Sequence, residues 1–175
     1  MAYLDYSAGT NFSTAQAITV TAASTNVFDV TGAGAGNAPA MIGANGVNTA
    51  LGYDIGAGDG QVRPTVLVSI GVNGTGAGTI QIQLQAAPDN GSYSPGSYVT
   101  IVQTDAIVGT ALDAGQLIEI PVPPVPPAFS GLPRFYRLNY VVAGTAGVTL
   151  TANLLLNPPE IRTATIYGSN FQVAS

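Results

Sequence analysis

Residues 79–85 read Thr-Ile-Gln-Ile-Gln-Leu-Gln. Side chains of a strand alternate between two faces, so Ile80, Ile82 and Leu84 fall on one face and Gln81, Gln83 and Gln85 on the other. That period of two predicts a half-buried β-strand. The same alternation returns at 65–72, where Val66, Val68 and Ile70 share a face. It returns at 134–142 with Tyr136, Leu138, Tyr140 and Val142, and at 148–156 with Val148, Leu150, Ala152, Leu154 and Leu156. Shorter strands are predicted at 17–21, 26–30, 98–103 and 117–122. No stretch carries the 3.6-residue period of an amphipathic helix. About eight strands, several joined by tight turns, predict an all-β sandwich or barrel.

The segments between strands are equally patterned. Asn73-Gly74-Thr75-Gly76 lies between two alternating runs and reads as a hairpin turn, because Asn-Gly supplies the positive-φ residues that tight turns need. Pro88-Asp89-Asn90-Gly91 is a second turn signal, and Gly144-Thr145-Ala146-Gly147 leads into the last strand. In Pro121-Val-Pro-Pro-Val-Pro-Pro127 five of the seven residues lack an N–H, so this stretch reads as a stiff, polyproline-like connection.

Residues 31–62 are rich in Gly, Ala and Asn and read as a long loop. Loops beyond about 15 residues are usually functional or disordered. Residues 1–14 hold Tyr3, Tyr6 and Phe12 without a period and read as an extended arm. Asn157-Pro158-Pro159 ends the last strand. The expected organisation is an arm (1–14), one β-domain (15–157) and a C-terminal tail (158–175) holding Arg162, Tyr167 and Phe171.

Composition limits the chemistry. Of 175 residues only 7% are charged, against about 25% in ordinary globular domains. The chain has no His, Cys, Lys or Trp, and nine acids against four arginines give a net charge of −5. Without His the commonest general base near neutral pH is missing. Without His and Cys, zinc, iron–sulfur and ordinary haem sites lose their main ligands. Four arginines under a negative balance argue against nucleic acid, which needs many cationic phosphate contacts. The opening Met-Ala-Tyr-Leu-Asp-Tyr has no positive n-region, so it does not read as a signal peptide. No apolar run approaches the roughly 18 residues of a membrane span.

The remaining candidates for chemistry are weak. The glycine runs lack the Gly-Lys-Ser/Thr of a P-loop, and no helix follows them to make a dinucleotide site. Asp54 and Asp59 bracket Ile-Gly-Ala-Gly, but a calcium loop needs acids at every second position, so they read as turn formers. Asp89, Asp105 and Asp113 fall in turns or loops. Glu119 lies opposite Ile118 and Ile120 on a strand and reads as solvated, so a glycosidase-like carboxylate pair is not expected. The expectation is no catalytic residue, no metal and no cofactor. Arg134 and Arg137 share a strand but not a face. Arg137 points away from Tyr136 and Leu138, toward solvent or an acidic partner.

The order of several segments resembles a known family. Ser24-Thr-Asn-Val-Phe-Asp29-Val is followed by Asp54-Ile-Gly-Ala-Gly-Asp59, then Ile82-Gln-Leu-Gln-Ala-Ala-Pro-Asp-Asn90. Ile118-Glu-Ile-Pro-Val-Pro-Pro124 and Arg134-Phe-Tyr-Arg-Leu-Asn-Tyr-Val-Val142 come next. Over most of 14–156 this is similar to the jelly-roll capsid cement proteins of tailed bacteriophages, with residues 33–51 and the segment after Asn157 as departures. The resemblance implies a jelly-roll β-sandwich that binds the outer surface of an icosahedral head and clamps neighbouring major capsid proteins. It implies a homo-dimer or homo-trimer, a virion location, and no catalytic residues. The residues expected to contact capsid or sister copies are Tyr3, Tyr6, Phe12, Arg63, Arg137, Arg162, Tyr167 and Phe171. The rival class is a carbohydrate- or receptor-binding β-sandwich. Such modules usually display Trp or stacked Tyr, and this chain has no Trp.

Overall fold

The computed structural model describes residues 11–29, 64–92, 94–123 and 133–155. Ten strands follow one another: β1 (Asn11–Ile18), β2 (Ala22–Ala23), β3 (Phe28–Asp29), β4 (Thr65–Thr75), β5 (Thr79–Ala87), β6 (Val99–Gln103), β7 (Ile107–Val108), β8 (Leu117–Pro121), β9 (Phe135–Ala143) and β10 (Gly147–Leu155). A 3-10 turn at Gly109–Ala111 is the one helical piece among the described residues.

The strands form two antiparallel sheets. The first has the order β1-β10-β4-β8. In the second, β9 and β5 lie side by side, β2 and β3 pair with successive stretches of β9, and β6 and β7 pair with successive stretches of β5. If β2/β3 and β6/β7 are each counted as one interrupted strand, eight strands remain. Numbered one to eight along the chain, the sheets read 1-8-3-6 and 2-7-4-5. That is the double Greek-key order of a jelly roll, in which the chain changes sheet at every connection except the one from β5 to β6.

The alternating runs supply the core. Val66, Val68 and Ile70 of β4 and Leu150, Ala152 and Leu154 of β10 point inward from the first sheet. Ile80, Ile82 and Leu84 of β5 and Tyr136, Leu138 and Tyr140 of β9 meet them from the second, and all are at most 5% exposed. Burying one such aliphatic side chain contributes roughly 1.5–3 kcal/mol, which is why the period of two fixes the register. Glu119 is exposed between the half-buried Ile118 and the buried Ile120, as the pattern requires. Pro121 closes β8, whose other side carries no described strand, so its missing N–H costs no ladder bond between strands.

Three readings of the sequence need correction. The first concerns 65–72 and 79–86, which are not a hairpin: β4 pairs β10 and β8, while β5 pairs β9, β6 and β7. β4 runs on to Thr75, and the glycines carry the chain across the corner of the sandwich. There Gly74 N donates to Leu112 O (2.7 Å) and Gly78 N to Thr145 O (2.8 Å), while Gly109 N donates to Gly78 O (2.9 Å). A Cβ on Gly74 would sit 2.1 Å from the Gly109 carbonyl oxygen.

The second concerns the start of the domain. β1 begins at Asn11, so residues 11–14 belong to the sandwich and not to an arm. Phe12, expected as a contact residue, is 1% exposed in the core cluster. The alternation of β1 was hidden because the strand bulges twice against β10 and Ala15 has a φ of 45°. Residues 1–10, the rest of the expected arm, lie outside the described residues, as do 31–62 and 158–175. The third concerns 17–21, of which only 17 and 18 are strand, as the end of β1, and 26–30, which reduces to the two-residue strand β3, where Phe28 and Asp29 are both buried.

Two tyrosines make the core sensitive to base. Tyr140 shares a 2.8 Å hydrogen bond with Ser13 Oγ inside the sandwich. Burial pushes the Tyr136 phenol up to about 12 and raises that of Tyr140 as well, the Ser13 bond opposing the latter rise. A phenol whose folded pKa is raised stabilises the fold fully below its unfolded value near 10 and loses that contribution as pH climbs through the folded value. Urea midpoints should therefore fall between about pH 10 and pH 12, by roughly 3 kcal/mol for Tyr136 alone, and Tyr136→Phe should flatten part of that fall. An unchanged slope in the variant would refute the assignment.

The corner glycines give a second test. Gly76 (φ 83°) would place a Cβ 2.1 Å from the Thr145 carbonyl oxygen, whereas Gly91 (φ 90°) has nothing within 4 Å of its Cβ position. Gly91→Ala should cost only the left-handed strain of about 1–2 kcal/mol. Gly76→Ala should cost at least about 3 kcal/mol, because backbone must also move. Equal losses in denaturation would show that the corner is not closely packed.

Candidate interaction face

The outward residues of β5 are the amides Gln81, Gln83 and Gln85, and the register brings further polar groups beside them. Gln83 lies between Asn139 of β9 and Gln103 of β6, and Gln85 lies between Arg137 and Thr100. The amides bond to one another across the strands. Asn139 Nδ2 donates to Gln83 Oε1 (2.9 Å), and Gln83 Nε2 donates to Gln103 Oε1 (3.0 Å). Gln85 Nε2 donates to Thr100 Oγ1 (3.3 Å), and Gln81 Nε2 to the Thr104 carbonyl (3.0 Å). Cross-strand pairs of this kind contribute roughly 0.2–1 kcal/mol each and hold the side chains flat against the sheet. The result is a wide face of neutral groups, each able to donate and accept.

Arg137 is the cation on that face. Its guanidinium lies 3.8 Å from the centroid of the Tyr98 ring, and its Nε donates to Gln85 Oε1 (2.9 Å). The Tyr98 hydroxyl is buried and has no hydrogen-bond partner among the described residues. Burial raises its pKa, and the Arg137 charge opposes that rise.

Arg134 has the opposite fate. It stands just before β9 and N-terminal to Phe135, whose ring centroid is 4.9 Å from its guanidinium. Its Nε and Nη2 donate to the two carboxylate oxygens of Asp29, each at 3.0 Å, and its Nη1 donates to Asp89. The Asp29 side chain is fully buried, and that of Arg134 is 12% exposed. The hydrogen bond with Asp29 is the main reason the guanidinium is held protonated above its ordinary range. The backbone N–H of Arg134 also donates to Ala87 O (3.0 Å). One arginine thus ties β3, the end of β5 and the turn after it to the start of β9.

Of the expected contact residues, Arg137 lies on the exposed amide face and Phe12 lies in the core. Tyr3, Tyr6, Arg63, Arg162, Tyr167 and Phe171 lie outside the described residues, as do Asp54 and Asp59. Asp89 is engaged by Arg134 and is not a free carboxylate. Asp105, Asp113 and Glu119 are exposed and stand apart. Among the described residues no group of three or more His, Cys, Asp or Glu could hold a metal ion. Sequence reading missed the amide ladder as a unit and the Arg137–Tyr98 stack. The first was legible in Gln-x-Gln-x-Gln, whereas the stack depends on strand order.

Fold and face together define a jelly-roll sandwich with a nearly neutral face of bonded amides along β5. The chain belongs to the Bbp16 family, whose model matches residues 12–153, and the family's name points to a phage-associated protein. No curated protein matches the chain.

The Arg134 cluster makes a stability prediction. Removing one partner of a buried ion pair typically costs about 3–5 kcal/mol, because the other charge stays buried. Arg134→Met should lose stability on that scale, while Arg137→Ala on the open face should lose about 1 kcal/mol or less. Similar urea midpoints for the two variants would contradict the buried-pair reading.

Proposed function

We propose that the chain is a capsid cement protein. It binds the outer surface of an icosahedral phage head as a homo-oligomer and clamps neighbouring major capsid proteins, without catalysis, metal or cofactor. The observation that carries this reading is the family match across the whole sandwich, taken with a face built for contact and not for reaction. A protein that works by area needs surface groups that can be desolvated cheaply. Amides already bonded to each other meet that need better than scattered charges do. Many copies on one particle would turn modest single contacts into high avidity.

The carbohydrate-binding alternative is less well supported. Sugar recognition uses an open aromatic face. The described aromatics are Phe12, Phe28, Phe135, Tyr136 and Tyr140, all at most 5% exposed, and Tyr98, which Arg137 covers.

Each copy should bury about 1,600 Å² or more over its contacts. With so few charges, moderate salt should weaken binding only slightly. The test compares particles made with and without the protein. Those without it should assemble but release DNA at a lower temperature, and adding purified protein should restore the higher one. If purified particles contained no copy of the chain, or lost it with no change in release temperature, the cement reading would fail. A glycan array would then become the next experiment.

A further inference from the structure

We infer that Arg137, held between Tyr98 and Gln85, is an anchor for a carboxylate side chain of another protein. The inference rests on the cement reading only for the identity of that protein, which would be the capsid. The anchor itself follows from geometry.

A guanidinium has five N–H donors in a planar fork. In Arg137 stacking on Tyr98 at 3.8 Å fixes the plane, and the Nε bond to Gln85 fixes the rotation about it. The four N–H groups on Nη1 and Nη2 have no acceptor among the described residues. The neighbouring Gln83, Gln103, Asn139 and Thr100 are bonded to each other, and none of them accepts from Arg137. Arg134 shows what this chain does with a satisfied arginine: Asp29 accepts from its Nε and Nη2, and Asp89 accepts from its Nη1. Arg137 has the same fork, ordered in advance, without the carboxylate.

The missing group is identified by its chemistry. A fork of parallel N–H donors matches the two oxygens of a carboxylate, and the pairing is charge-assisted. The occupant is a protein side chain and not a free anion, because the amide ladder extends the contact surface well beyond the fork. A second copy packed face to face does not fit. The exposed and partly exposed polar groups beside Arg137 on β5, β6 and β9 are Gln81, Gln83, Gln85, Asn139, Thr100 and Gln103, none of which is an acid, and Asp29, which pairs Phe135 on the other side of β9, is fully buried against Arg134. Arginine and tyrosine are also residue types that dominate interface energetics.

Three measurements on the full chain test this. In the first, the side-chain NMR signals of labelled arginine are followed during titration with sodium acetate, with sodium chloride as the ionic-strength control. Acetate should shift the Arg137 signals and leave those of Arg134 in place; shifts no larger than chloride produces would overturn the anchor. In the second, binding to shells lacking the protein is measured for wild type, Arg137→Ala and Arg137→Lys. Both variants should bind about tenfold more weakly or worse, since lysine keeps the charge but not the fork. Their melting temperatures should stay close to wild type. Binding of Arg137→Lys within twofold of wild type would overturn the proposal. If wild-type protein failed to bind shells at all, the cement reading would fall, and the acetate titration would still decide the anchor. The third is sedimentation velocity of wild type and Arg137→Ala. Loss of self-association in the variant would place a sister copy on the fork and overturn the assignment to another protein.

Discussion

The contact of backbone with backbone at one corner of the sandwich is the constraint on which the fold depends. A jelly roll sends its chain from sheet to sheet, and three connections meet in the same place: 75–79, 108–117 and 143–147. They are joined by main-chain bonds from Gly74, Gly78, Gly109 and Thr110 to Leu112, Thr145, Gly78 and Gly76. At 2.1–2.4 Å from a carbonyl oxygen, the Cβ positions of Gly74, Gly76, Gly78 and Gly109 are already occupied. Side chains there would push the connections apart, and the strands they hold would lose register with the core. Glycine is entropically costly in a strand, so its use at the end of β4 marks a place where close approach outweighs that cost.

With only four arginines and nine acids, charge is spent sparingly. The cluster around Arg134 is buried, and it joins residues 29, 89 and 134, which no local pattern would bring together. Buried pairs of this kind add little net stability, but breaking one is expensive. The cluster therefore specifies where β3 and the turn after β5 sit relative to β9. Along β5 the outer face of the second sheet is kept polar by amides, which bond to neighbouring strands without repulsion between like charges.

How much of this was legible in the sequence follows from the range of each interaction. The alternation in β4, β5, β9 and β10 is local and strong, and it located the core faces correctly, from Val66 to Leu154. The outward position of Arg137 and the solvated position of Glu119 follow from the same parity. The pairing of strands is not local. Asn73-Gly74 looks the same whether the chain folds back within a sheet or crosses to the other, so the local pattern of β4 and β5 matches a hairpin. β2 and β3 are two residues each, too short for any period to show. The bulges of β1 broke the alternation that would have placed Phe12 inside. The Arg137–Tyr98 stack needs both the strand order and the bulge in β6, and neither is written in the chain.

A sandwich has two outer faces, and in this protein they differ. At one end of the first sheet Leu67, Asn153 and Leu155 point outward yet are at most 7% exposed. On the second sheet the outward amides are partly exposed along the length of β5. An extended face that is polar, nearly uncharged and internally bonded resists non-specific association, because each amide already has a partner. It can still bind a matching surface, because an amide exchanges one neutral hydrogen bond for another at small net cost. Specificity must then come from the few groups that are not interchangeable. On the described part of this face Arg137 is that group, and among the described residues no carboxylate takes its Nη1 and Nη2.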